Sequence, residues 1–201
     1  MNGDKSTLGI FAGLVALTAL LCSPSHADAH LVTTGMGPVF DGIGHLLLTP
    51  EDIVPVLALA IYAGLRGASS GRRAMFLLPL AWFIGGLTGL MVNITVPIPI
   101  AAISFLILGG LVAADLSMPA AAVMGLAIVL GGVHGLLNGV ALKENAGTLG
   151  LIGIMAMLFV VVSLLSAFVI SLKKPWERVA ARVAGSWIAA IGLLMIGWAV
   201  R

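Results

Sequence analysis

Six apolar runs, each close to the length needed to cross a lipid bilayer, succeed one another near residues 51 to 66, 73 to 94, 97 to 114, 118 to 141, 148 to 171 and 180 to 200. A helix needs about 20 mostly apolar residues to span a hydrocarbon core. Explicit breaks part the runs: a Gly/Ser/Arg loop from Arg66 to Arg73, the proline turn Val96-Pro97-Ile98-Pro99, a polar link from Asp115 to Pro119, a hydrophilic turn from Lys143 to Gly147 and a basic loop from Lys173 to Arg182. No room is left for a long domain outside the membrane. Charged residues make up 9% of the chain and hydrophobic ones 60%, whereas a soluble domain carries roughly 25% charged residues. The expected fold is therefore all-α, a polytopic membrane helix bundle whose solvent is the bilayer.

Residues 1 to 29 have a different pattern. A polar start containing Lys5 leads into an apolar stretch from Leu8 to Leu21 and ends in Ala27-Asp28-Ala29, the order of a cleavable secretory signal. Cleavage after Ala29 leaves His30 at the mature N-terminus, where its α-amine and ring nitrogen can chelate one metal ion together. The alternative is an uncleaved first helix with His30 as an ordinary loop residue. The only cysteine, Cys22, lies in the segment expected to be removed, which excludes disulfides, Cys-ligated zinc and a thiol nucleophile from the mature chain. Residues 30 to 201 then form one six-helix domain, preceded by a short periplasmic helix near 39 to 48.

The basic residues read as topology determinants, and a net charge of +2 is no signal for nucleic acid. With the first mature helix starting outside, the inward loops hold Arg66, Arg72, Arg73, Lys173, Lys174, Arg178 and Arg182 against Lys143 and Arg201 outside. Seven against two is a positive-inside bias, and it sets both mature termini in the periplasm of a bacterial inner membrane. Gly85 with Gly89, and Gly131 with Gly135 and Gly139, form small-xxx-small faces whose default meaning is close helix packing.

On this topology the polar residues gather on the outer side: His30, Asp41, His45, Glu51, Asp52, Asn93 and Glu144, with His134 and Asn138 in the outer half of the fourth run. Asp41 and His45 stand at i and i+4, able to point at one ion if 39 to 48 is helical. Pro50 starts the next helix, and Glu51 and Asp52 are either ligands or residues serving its N-terminal dipole. His134 and Asn138 are again i and i+4. An ionisable group at that depth is a functional candidate by default, against the alternative of an interhelical hydrogen bond worth about 0.6 kcal/mol. Imidazole with carboxylate suits first-row divalent ions such as Ni²⁺, Co²⁺ or Zn²⁺. Copper is the remaining option, although the nine methionines are scattered rather than clustered.

The chain resembles the HupE/UreJ family, membrane proteins linked to hydrogenase and urease maturation and regarded as nickel permeases. The likeness rests on the signal ending in Ala-His, an early His/Asp motif, six helices and a histidine in a glycine-rich later helix. The family motif reads His-Pro-x-x-Gly-x-Asp-His. Here His45 falls on its first histidine, Glu51 on the aspartate and Asp52 on the last histidine, while Leu46 and Thr49 replace the proline and glycine. The resemblance implies a divalent-metal permease or accessory protein, nickel first, with lipid and the ion as partners. Self-association and contact with metalloenzyme maturation proteins belong to the same expectation.

The leading reading is uptake of the ion through His30, Asp41 and His45, then inward past His134 and Asn138. An intramembrane metal-dependent hydrolase is the competing reading, although the chain has neither H-E-x-x-H nor G-x-S-x-G. A third is a haem-anchoring or structural subunit of a membrane complex, with His45 and His134 as the axial pair.

Overall fold

The computed structural model of the protein describes residues 33 to 94 and 99 to 200; the expected signal segment and His30 lie outside them. Among the described residues the chain forms seven helices and no strand: α1 (Pro38–Leu48), α2 (Pro50–Leu65), α3 (Ala68–Met91), α4 (Ile100–Ala114), α5 (Ala120–Leu142), α6 (Gly147–Ser171) and α7 (Pro175–Ala199). Prolines open α1, α2 and α7 at the first helical position, where the missing N–H has no partner to lose.

The expectation of an all-helical membrane bundle holds, and that of six full spans is met only in part among the described residues. Among the described residues α3, α5, α6 and α7 are long and apolar enough to cross a membrane, and the bent pair α1–α2 brings the number to five at most. The run expected from 97 begins as α4 only at Ile100 and holds 15 residues, about 22 Å of helix against a core of roughly 30 Å. Pro99 supplies the physical reason, since it sits at the N-cap without helical dihedrals. The run at 51 to 66 becomes the 16-residue α2, which reaches spanning length only together with α1.

The helix expected near 39 to 48 is α1, and it turns into α2 through a 75° bend. Thr49, the residue before Pro50, is held extended at φ −102° and ψ 95°, because a following proline disfavours the helical region. α1 packs against α6 through bare backbone. A methyl at Gly42 would overlap the Gly150 carbonyl oxygen, and one at Gly153 would overlap that of Val39.

α2 is the central element: Val56, Ala58, Leu59, Ala60, Tyr62 and Ala63 have no solvent exposure. Around it α3 packs along α5, α4 along α7, and α6 along α1, α2 and α3. The glycine faces act in packing as expected. Gly135 abuts the Trp82 carbonyl and Gly139 that of Gly86, so α3 and α5 meet backbone to backbone. α7 is the least enclosed of the long helices.

Candidate functional site

Two polar clusters lie at opposite ends of α2. The first centres on Asp52 in its opening turn. Thr49 caps the helix without any side-chain hydrogen bond, and the Asp52 carboxylate turns away from the local backbone into the bundle. His134 Nδ1 lies 2.8 Å from Asp52 Oδ1. Asn138 Nδ2 donates to Asp52 Oδ2, also at 2.8 Å. The i, i+4 spacing on α5 is what allows one carboxylate to take both side chains. His45 Nε2, near the end of α1, is 4.0 Å from Asp52 Oδ2.

His45, Asp52, His134 and Asn138 are all buried, His134 to within 2% of full enclosure. His134 lies eight residues short of the end of α5, roughly 12 Å along its axis. The α1–α2 break is thus set into the bundle, where irregular backbone is tolerated only if protein or a cavity surrounds it. A cleft of about 370 Å³ runs beside the break, lined by Glu51, Asp52, Pro99, His134, Leu137 and Met195 among others. Asp52 and His134 form its polar wall and the exposed Glu51 its rim. The first turn of α2 directs the positive end of its dipole toward Asp52.

Of the residues singled out in the sequence, the fold brings together His45, Asp52, His134 and Asn138. It does not bring Asp41 to them. The Asp41 carboxylate accepts from the Thr34 backbone N–H and, at 2.7 Å, from the Thr34 hydroxyl, which ties down the segment before α1. Glu51 reaches the cleft but not the cluster. Asn93 accepts from Lys143 Nζ at 2.8 Å, and Glu144 is exposed. His30 lies outside the described residues. Among the described residues no three His, Cys, Asp or Glu side chains stand ready-made around one ion.

Two members of the cluster went unread in the sequence. Ser104 Oγ is 3.0 Å from His134 Nε2, and the Trp82 ring lies against the His134 imidazole at 5.5 Å between centroids. A signal existed for Ser104, the lone polar side chain of α4. Nothing local marks Trp82. Among the described residues two atoms here are buried without a partner, Asn138 Oδ1 and Trp82 Nε1, and a buried donor or acceptor left unpaired costs about 1–3 kcal/mol.

The second cluster, at the far end of α2, is built on Asp115. That residue ends α4 with φ 50°, a left-handed conformation that aspartate tolerates better than most side chains. Arg66 pairs with one carboxylate oxygen and Arg178 with the other at 3.2 Å. The Leu116 carbonyl accepts from both Tyr62 Oη and Arg66, and Arg182 donates to the Ala113 carbonyl. Glu177, the other acid at this end, caps α7 by accepting from the Lys173 and Lys174 backbone amides at 2.9 Å each. Asp115 is therefore occupied in joining α2, α4 and α7, and Glu177 in closing the first turn of α7.

The sequence model of the family described as HupE / UreJ protein matches residues 16–195 of the chain. No curated protein and no solved structure matches it.

Proposed function

The chain belongs to the HupE/UreJ family, and on that premise we propose that the Asp52 cluster binds a divalent transition-metal ion, nickel first, in a permease or accessory protein of a bacterial inner membrane. The family is associated with nickel or cobalt transport or accessory function. The single observation that carries the reading is a deeply buried carboxylate that, among the described residues, pairs with imidazole and carboxamide but with no lysine or arginine. Negative charge held in a low-dielectric interior without a fixed cation calls for a mobile one.

The donor set fits such an ion. Imidazole nitrogen backed by a carboxylate suits Ni²⁺, Co²⁺ or Zn²⁺, and among the described residues no thiolate stands at the cluster to favour soft ions. Asn138 Oδ1, buried and without a partner among the described residues, is an oxygen that a cation would satisfy. Among the described residues the side chains are not closed around one point. Glu51 at the rim of the cleft, and His30 if cleavage exposes it, would collect the ion from outside. Arginines at the other end of α2 mark the cytoplasmic side by the positive-inside rule.

The test is metal accumulation in cells bearing the wild type, Asp52→Ala or His134→Ala, normalised to protein in the membrane, with nickel, cobalt, zinc and copper run in parallel. Accumulation in both variants is expected to fall at least tenfold for the cargo ion. Unchanged accumulation of all four metals in both variants removes the reading.

A further inference from the structure

Serine hydroxyls inside apolar helices normally donate to the carbonyl one turn back, and this bundle follows the rule closely. Ser163 donates to Phe159 O at 2.5 Å, Ser166 to Ser163 O at 3.4 Å, Ser171 to Phe168 O at 2.7 Å and Ser186 to Val183 O at 2.7 Å. Thr88 does the same with Gly85 O at 2.6 Å. Ser104 is the exception among these: its hydrogen bond runs to His134 Nε2 at 3.0 Å. A hydroxyl that forgoes a carbonyl one turn away has found a better acceptor, and an unprotonated imidazole nitrogen is one.

The other ring nitrogen agrees. His134 Nδ1 faces Asp52 Oδ1 at 2.8 Å, and a carboxylate accepts only, so the proton between them belongs to Nδ1. Asn138 fixes the second oxygen of the same carboxylate, which prevents Asp52 from swinging away. Carboxylate, imidazole and hydroxyl thus lie in one line drawn from α2, α5 and α4. In metal sites such a carboxylate on the far nitrogen orients the ring and raises its donor strength.

On the reading that this cluster takes a metal ion, we infer that Asp52 is a positioning residue, which holds His134 with its proton on Nδ1 and its lone pair on Nε2, while Ser104 occupies that lone pair until the ion displaces it. The ion therefore meets the ring on the Ser104 side. Asp52 acts on the ion only through the ring it orients, although its position in the chain matches the last histidine of the family motif. An sp² nitrogen offered in this way selects first-row transition ions over Mg²⁺ or Ca²⁺.

The experiment is nitrogen NMR of the full chain, labelled at histidine nitrogen and held metal-free in lipid nanodiscs, with the His134 signals identified by their loss in His134→Gln. The wild type is expected to show a protonated Nδ1 and an unprotonated Nε2. In Ser104→Ala the Nε2 resonance moves to that of a free acceptor and Nδ1 stays. In Asp52→Asn the tautomers mix. A wild-type ring protonated at Nε2, whether as the other tautomer or as imidazolium, overturns the inference, and so does an Nε2 signal indifferent to Ser104→Ala. The wild-type and Ser104→Ala spectra decide the matter even if Asp52→Asn does not fold. Nickel is then titrated into the same sample. Absence of any nickel-induced change counts against the ion-binding reading alone and leaves the tautomer result standing, so the two failures are told apart.

Discussion

Asp52 and Asp115 are the acids at the two ends of α2, separated by a helix of 16 residues, yet they live under opposite electrostatic regimes. Asp115 is met by two arginines, one from the end of α2 and one from α7, so its charge is more than cancelled. Asp52 is more deeply enclosed and is met by imidazole and carboxamide. A buried pair of fixed charges is satisfied by the protein itself and does structural work. A buried carboxylate met by imidazole and carboxamide has no arginine or lysine beside it among the described residues and, on the proposed reading, stays ready for a mobile cation. On the proposed reading, the difference separates a joint between helices from a site that takes a ligand.

The largest test of that contrast is Asp52→Ala. Removing the orienting carboxylate is expected to lower metal affinity about 10–100-fold, the usual cost of losing such a partner. Titration of purified protein with nickel measures it, and the same affinity in both proteins would erase the distinction between the two acids. The counterpart is Asp115→Asn, which keeps a side chain tolerant of the left-handed backbone. It is expected to cost about 2–3 kcal/mol of stability, below the full value for completely buried pairs because Asp115 is partly exposed, with metal affinity unchanged. Thermal unfolding in detergent reads the first effect and the nickel titration the second.

A smaller effect sharpens the picture at the joint. Arg178 is half exposed, its side chain 46% accessible, so Arg178→Ala is expected to cost under about 1 kcal/mol, and high salt should narrow its difference from wild type. The smallest effect is expected at Asp41, whose carboxylate serves Thr34. Asp41→Asn should leave nickel affinity within about twofold, the size of an effect without a lost ligand. A tenfold loss there would restore Asp41 to the ion path.

Much of the architecture was legible because lipid imposes local rules. Spanning helices must be apolar for about 20 residues, so their positions stand out. The Gly131, Gly135 and Gly139 face marks the helix that approaches another backbone closely, and α5 does so against α3. Expectation departed from structure at the prolines. Pro99 delays α4, and Thr49 before Pro50 turns what read as a surface helix and a separate span into one bent unit. Each departure follows from a backbone dihedral that hydropathy does not register.

At the site, the types of residue were readable and their pairing was not. Asp41 and Asp52 are both close to His45 in sequence, and spacing alone favoured Asp41. The 75° bend reverses that choice by aiming Asp52 into the bundle. His134 and Asn138 stand 82 and 86 residues from Asp52 in the chain, and periodicity along one helix says nothing about its register against another. By itself the sequence determined the solvent, the helical class and the short roster of side chains with any chemistry. Packing decided which carboxylate faces which imidazole, since that depends on how far glycine faces let helices approach and on how a proline bends the chain.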